Sequence, residues 1–174
     1  MHDAHAVNVL GAGALAIADF IDTSVTEAAG TSRSGAAALA VLLQAGGLSV
    51  TELGKRVGLS QPAAARMVST LEEAGQVERH PGLGRQVRVE LTQIGRSSAQ
   101  LLLQRRSRQV ADLLEGFSSS EEQTLARLLD KILTRVYERV GDANRICRLC
   151  DRHDCVSTGL RCPVGLAAGE SADA

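Results

Sequence analysis

Tryptophan is absent from this chain of 174 residues, and one tyrosine and two phenylalanines are its whole aromatic content. A core without large rings must be built from Leu, Val, Ile and Ala, which suits packed helices. Proline occurs three times, so little interrupts helical runs. Charge of one sign is missing too: the net charge is −1, and bulk charge therefore points to no class of partner. No apolar stretch is both long and clean. The segment from Val7 to Val25 has no Lys or Arg before it and is broken by Asp19 and Asp22, which argues against a signal peptide and a membrane span. The expected location is the cytoplasm. No nucleophile with an adjacent base, phosphate loop or paired carboxylates can be found, so the chain is not expected to be an enzyme.

What is there is unevenly placed. From Lys55 to Arg108 ten Lys and Arg stand against four Glu, a positive middle third in a neutral chain. All four cysteines fall in one run, CRLCDRHDCVSTGLRC, as Cys147, Cys150, Cys155 and Cys162.

Apolar residues recur at helical spacing over roughly 5–29 (Val7, Leu10, Ala14, Ile17, Ile21, Val25). A nearly all-apolar segment, about 34–45, predicts a buried central helix ended by Gly46 and Gly47. A short helix starting at Ser49 or Val50 runs through Val57, and Gly58 supplies the turn. Ser60 is expected as the N-cap of the next helix, with Pro62 in its first turn. Ala64, Met67, Val68 and Leu71 form that helix's inner side. Two short helices joined by a glycine turn are the helix-turn-helix pattern. Period-two alternation follows in Val77–His80 and Arg88–Leu91, flanking a tip with Gly82, Gly84 and Arg85, so a β-hairpin is predicted. A helix-turn-helix followed by such a hairpin is a winged helix. Thr92 caps a helix expected to run to about Phe117. Ser118 with Glu121 forms a capping box for a last long helix reaching Val140.

The chain thus reads as mainly α, with a small β-hairpin wing and a helical dimerisation region built from both ends. Residues 5–30 and 92–140 form that region, 34–91 the winged helix, 145–164 the cysteine segment, and 165–174 a tail expected to be disordered.

In this order and spacing, LSVTELGKRVGLSQPAAARMVSTLEEAGQVERH, the LTQIGR at Leu91–Arg96, and SSSEEQTLARLL opening the last helix resemble MarR-type transcriptional regulators. The resemblance covers roughly residues 5–140. It implies a homodimer whose terminal helices interlock, each winged helix addressing half of a pseudo-palindromic operator. The wing departs from the family pattern: HPGLGRQVR keeps Arg85 as the tip arginine but has no acidic partner beside it.

On such a frame the second helix of the motif enters the major groove of double-stranded DNA. Gln61 can offer its amide to adenine, and Arg66 can pair with guanine or a phosphate. Ser60, Ser69 and Thr70 reach phosphates, and Ala63 and Ala65 meet thymine methyls. Arg85 enters the minor groove, while Arg79, His80 and Arg88 line the wing base. The bland alternative is a solvated polar helix face. Lys55 and Arg56 are phosphate contacts or plain surface, and Arg105, Arg106 and Arg108 are solvated helix surface.

Thiolates repel one another, so four in one short segment point to a bound cation or to oxidation. The spacing C-x2-C-x4-C-x6-C suits four thiolates around a metal. Structural zinc usually has a second close pair, whereas the gaps after Cys150 are four and six residues, and Cys162 precedes Pro163. An iron–sulfur cluster is therefore preferred, sensing redox state, iron or nitric oxide. A structural zinc in a regulator answering a small-molecule effector is the alternative, and a metal-free thiol–disulfide switch is a third. An iron–sulfur electron carrier or thiol oxidoreductase leaves the basic helix-turn-helix unexplained. Because the cysteines follow the last dimer helix, loading them is expected to tilt that helix and reset the spacing of the two reading heads.

Overall fold

The structure is a computed structural model that describes residues 3–82, 87–151, 155 and 162–169. Its elements run α1 (Ala4–Ala29), α2 (Arg33–Ala45), β1 (Leu48–Ser49), α3 (Val50–Val57), α4 (Gln61–Glu73), β2 (Val77–Pro81), β3 (Val87–Leu91), α5 (Gln93–Asp112), α6 (Ser119–Val140), α7 (Ala143–Ile146) and α8 (Pro163–Ala167). The mainly helical winged-helix class is as expected from sequence.

Helix α2 is the centre. Its run from Gly35 to Ala40, and Leu42, is buried, because a helix without a polar face has nothing to show to water. Around it pack α1, α3, α4 and α5, bringing Val25, Leu53, Val68, Leu71 and Leu102 into one aliphatic core.

Capping chemistry sets most boundaries. Ser49 accepts from the Glu52 N–H at 3.2 Å to start α3. Gly58 ends it with φ +74°, a left-handed conformation that L side chains rarely adopt. Thr92 accepts from Gly95 N at 3.1 Å to start α5. Ser60 takes the N-cap position of α4, with proline in the first turn, but its side chain makes no cap hydrogen bond. It is the cap in backbone only, and its hydroxyl faces outward.

The box at Ser118 forms as expected. Ser118 N donates to Glu121 Oε2 at 2.8 Å, and Ser118 Oγ accepts from Glu121 N at 3.4 Å. The Ser118 hydroxyl also donates to Glu121 Oε2 at 2.6 Å, and this bond, with that from the Ser118 backbone N–H, holds the Glu121 carboxyl below its usual range. Ser118→Ala should cost about 1 kcal/mol, read as a lower denaturant midpoint with unchanged slope.

Three boundaries differ from the sequence reading. Helix α5 stops at Asp112 instead of about Phe117, because the chain turns through Gly116 at φ +87°. The wing has a third strand: β1 pairs antiparallel with β3, Leu48 opposite Val89, giving the order β1-β3-β2. Two residues are too few to show alternation in sequence. Part of the tail expected to be disordered is helical, since α8 spans Pro163–Ala167 with Val164 buried.

Helix α1 is long and apolar enough, by length and composition, to cross a membrane. It packs against α5 and α2, and its Asp22 pairs with Arg33 at the start of α2. Helix α6 buries no residue at all.

Candidate DNA interface and cysteine centre

The face of α4 opposite the core carries the side chains singled out for DNA. Ala64, Met67, Val68 and Leu71 turn inward. Ser60, Gln61, Ala65, Arg66 and Thr70 are exposed, and Ala63 and Ser69 half-buried. The helical period alone makes this division. Among the described residues the Arg66 guanidinium makes no ion pair, so its donors stand open on the exposed face.

The wing base is different. Arg79, expected to face DNA, donates to Glu72 and, through Nη2, to Ser69 Oγ at 3.1 Å. It thereby ties β2 to α4, and Ser69 is committed to the same tie. Arg88 Nε lies 2.7 Å from Glu90 Oε1, and His80 Nε2 lies 3.1 Å from Glu78 Oε1. Arg79 and Arg88 thus spend donors on carboxylates, at the end of α4 and two positions along the wing, and His80 stands beside one. Arg85 lies outside the described residues.

A residue the sequence reading passed over holds wing and helices in register. Gln76 is buried, its Nε2 donating to the Ala29 carbonyl at 2.8 Å and to Ser98 Oγ at 3.3 Å. Its carbonyl accepts from Thr92 N at 3.1 Å. A glutamine among turn residues gives no local sign of burial.

The four cysteines come together. All are half-buried, and all border one cavity of about 430 Å³ with Gln44, Arg56, Arg148 and Val164. The Cys155 side chain lies near enough to Cys150 and Cys162 to interact with both. Cys162 is the N-cap of α8, its Sγ accepting from Gly165 N at 3.4 Å. Burial pushes the Cys150 thiol up, as does the neighbouring Cys147, while Arg106 pulls it down. Burial also raises Cys155, to about 11, with Cys150 and Cys162 adding to the effect. Without a cation, burial thus favours the neutral thiol at Cys150 and Cys155. Among the described residues no set of three or more His, Cys, Asp and Glu side chains is already drawn to ion-holding distances. His153 and Asp154 lie outside the described residues.

Arg56 and Arg106 depart from their expected roles. Arg56, taken as a phosphate contact or plain surface, is half-buried and turned to the cysteine cavity, with Nε 3.0 Å from Glu52 Oε1. Arg106, taken as solvated surface, is half-buried and close enough to act on Cys150.

The segment sits on the helix-turn-helix. Helix α7 packs against α3, and α8 against α6 and α7. Gln44 of α2 donates to the Cys150 carbonyl at 2.5 Å, and Leu149 packs on the main core. A second, shallower cavity of about 260 Å³ lies between α2 and α5, lined by Leu43, Leu103 and Gln104 among others.

Comparison with known proteins agrees with this geometry. Residues 32–84 match the family model described as MarR family. No curated protein matches the chain. Among solved structures, a MarR family protein from Bacillus stearothermophilus superposes with a TM-score of 0.66 at 26% identity, over 78% of this chain and 99% of that one. The oxidized form of MarR from E. coli gives 0.59 at 25% identity, covering 71% and 93%. A cysteine-to-serine variant of E. coli MarR complexed with operator DNA gives 0.57 at 24%, covering 76% and 99%, and speaks for the fold. Residues 32–84, from the cap of α2 to the wing, are thus similar to the MarR family, and the chain has the mainly helical winged-helix fold of these solved structures.

Proposed function

We propose that the chain is a dimeric, cytoplasmic transcriptional regulator that binds a pseudo-palindromic operator through α4 and answers to an iron–sulfur centre on its four cysteines. The DNA part is carried by the open face of α4. Gln61 and Arg66 are long donors on the exposed side of a helix whose other side is locked in the core. The E. coli protein crystallised with operator DNA shares this fold. The basic middle third supplies phosphate attraction, so affinity should fall steeply with salt.

Dimerisation is supported by apolar surface that a lone chain leaves in water. Leu10, Ile17 and Phe20 on α1, and Leu128, Leu129 and Val136 on α6, are all exposed. Large apolar patches of this kind mark interfaces, and a second copy covers them at the place where the family resemblance puts the dimer.

The centre is supported by the chemistry of its donors. Four thiols meet in one cavity, with Arg56, Arg106 and Arg148 near enough to offset the charge of four thiolates. The volume leaves room for a body larger than one ion. An iron–sulfur cluster bound there supplies reversible electron transfer and sensitivity to iron and nitric oxide, which side chains lack. The chain's residues hold it, shield it on the α2 side and balance its charge. The cavity between α2 and α5 favours a second reading, a small-molecule effector with zinc at the cysteines. Protein purified without oxygen distinguishes the two: brown with bound iron and sulfide, or colourless with zinc.

Arg66→Ala should weaken operator binding about tenfold, within the range for one base-reading side chain, in a gel shift with DNA from upstream of the gene. Equal binding of wild type and variant, or no sequence preference in any state of the centre, would sink the DNA assignment.

A further inference from the structure

A change at the thiols has to reach α4 to matter, and the order of the chain suggests a route through α6, which the cysteines follow. The contacts offer a shorter one. Two contacts of the cysteine segment fall on the helix-turn-helix of the same chain, and a third holds α2, which packs against both of its helices. Gln44 on α2 holds the carbonyl of Cys150 at 2.5 Å. Arg56 on α3 forms part of the cavity wall beside the thiols. Arg145 on α7 lies over the turn between α3 and α4: a Cβ built on Gly58 would stand 3.7 Å from its Nε and 3.8 Å from its Cδ.

From α3 to α4 the coupling is rigid. A Cβ added to Gly54 would fall 2.7 Å from Ala64 Cβ, so the helices cross at a distance only glycine permits. Leu59 N donates to the Gly54 carbonyl at 2.8 Å, closing the turn two residues after the last one of α3. A displacement of α3 or of the Gly58 turn is therefore handed to Ser60 and Gln61, the first residues of the reading helix. Close packing transmits such shifts, because its elements move as blocks.

We infer that the cysteine segment is coupled directly to the helix-turn-helix of its own chain, with Gln44 and Arg145 as positioning residues that carry the state of the centre to α4. This rests on the metal-centre reading above. Charge favours it: collecting four thiolates beside Arg56 pulls that guanidinium, and α3 with it, toward the cavity. Neither Gln44 nor Arg145 is buried, so replacing them leaves the core intact.

The test uses the full chain, loaded with iron and sulfide under argon or left unloaded, with the upstream DNA fragment as probe. In wild type the two forms should differ in affinity by about tenfold, a usual size for coupling between sites. Gln44→Ala with Arg145→Ala should keep iron content, visible absorbance and the melting temperature of the unloaded form, yet shrink that ratio to less than about threefold. Arg145→Lys in the wild-type background, which keeps stem and charge over Gly58, should preserve the ratio. A double variant that loads fully and keeps the whole ratio overturns the direct route. Loss of iron in that variant overturns it as well, because the two residues would then belong to the binding site. A wild type that never loads overturns both this inference and the centre itself, and a wild type that loads with no change in affinity overturns the switch while leaving the centre standing.

Discussion

Cys150→Ser is expected to strip the protein of its metal. Cys150 lies close enough to Cys147, Cys155 and Cys162 to feel each of them, and its carbonyl is pinned by Gln44. A serine hydroxyl is a poor ligand for iron or zinc and keeps its proton at neutral pH. Iron and sulfide in the anaerobically purified variant should drop to background. Thermal unfolding gives an independent reading. A site filled with metal at about a thousand times its dissociation constant stabilises the folded state by about 4 kcal/mol. For a chain of this size that is on the order of 8–16 °C in melting temperature. Wild type should show that gap between loaded and stripped forms, and the variant should melt at one temperature whether or not metal is offered. Full loading of the variant would mean that the sulfurs border the cavity without serving it.

The second large effect is at Gly95. A Cβ there would stand 1.8 Å from the Gln76 carbonyl oxygen and 2.8 Å from its carbon. That carbonyl cannot retreat. It accepts from Thr92 N, and Gln76 N is itself bonded to the Leu71 carbonyl at 2.9 Å, while the Gln76 side chain is anchored to Ala29. Gly95→Ala must therefore pry α5 away from the start of β2, at a cost of about 3 kcal/mol. Melting at fixed protein concentration should fall by roughly 6–12 °C. Gly13→Ala on α1, where an added Cβ meets nothing within 4 Å in the single chain, is the control for glycine replacement inside a helix. A Gly95 variant as stable as wild type would mean that the wing and α5 are not held together at Gln76.

Both predictions turn on contacts between distant parts of the chain, and the sequence reading was weakest there. It placed Gly95 inside the LTQIGR signature without seeing that a backbone carbonyl fills the space beside it. It placed Gln44 at the end of a buried helix without a partner 106 residues away. Arg79 shows the same limit at short range. As a cation on a strand next to a reading helix it looks ready for phosphate, and only the fold brings Glu72 and Ser69 to it. Exposed helix faces were easier to read. The outward set on α4 follows from an apolar stripe three and four residues apart, whatever the rest of the chain does.

Local chemistry was enough to establish the order of helices, most of their ends, the two main strands of the wing, and the fact that all thiols lie in one short segment. Each of these depends on residues within a few positions of one another: a Ser or Thr before a helix, a glycine after it, apolar side chains at the period of the backbone. The third strand, the knot at Gln76, the commitment of the wing-base arginines, and above all the seat of the cysteine segment against α2 and α3 were settled by packing. They pair groups tens of residues apart, and a linear pattern carries no distance between such groups until the core has closed around α2.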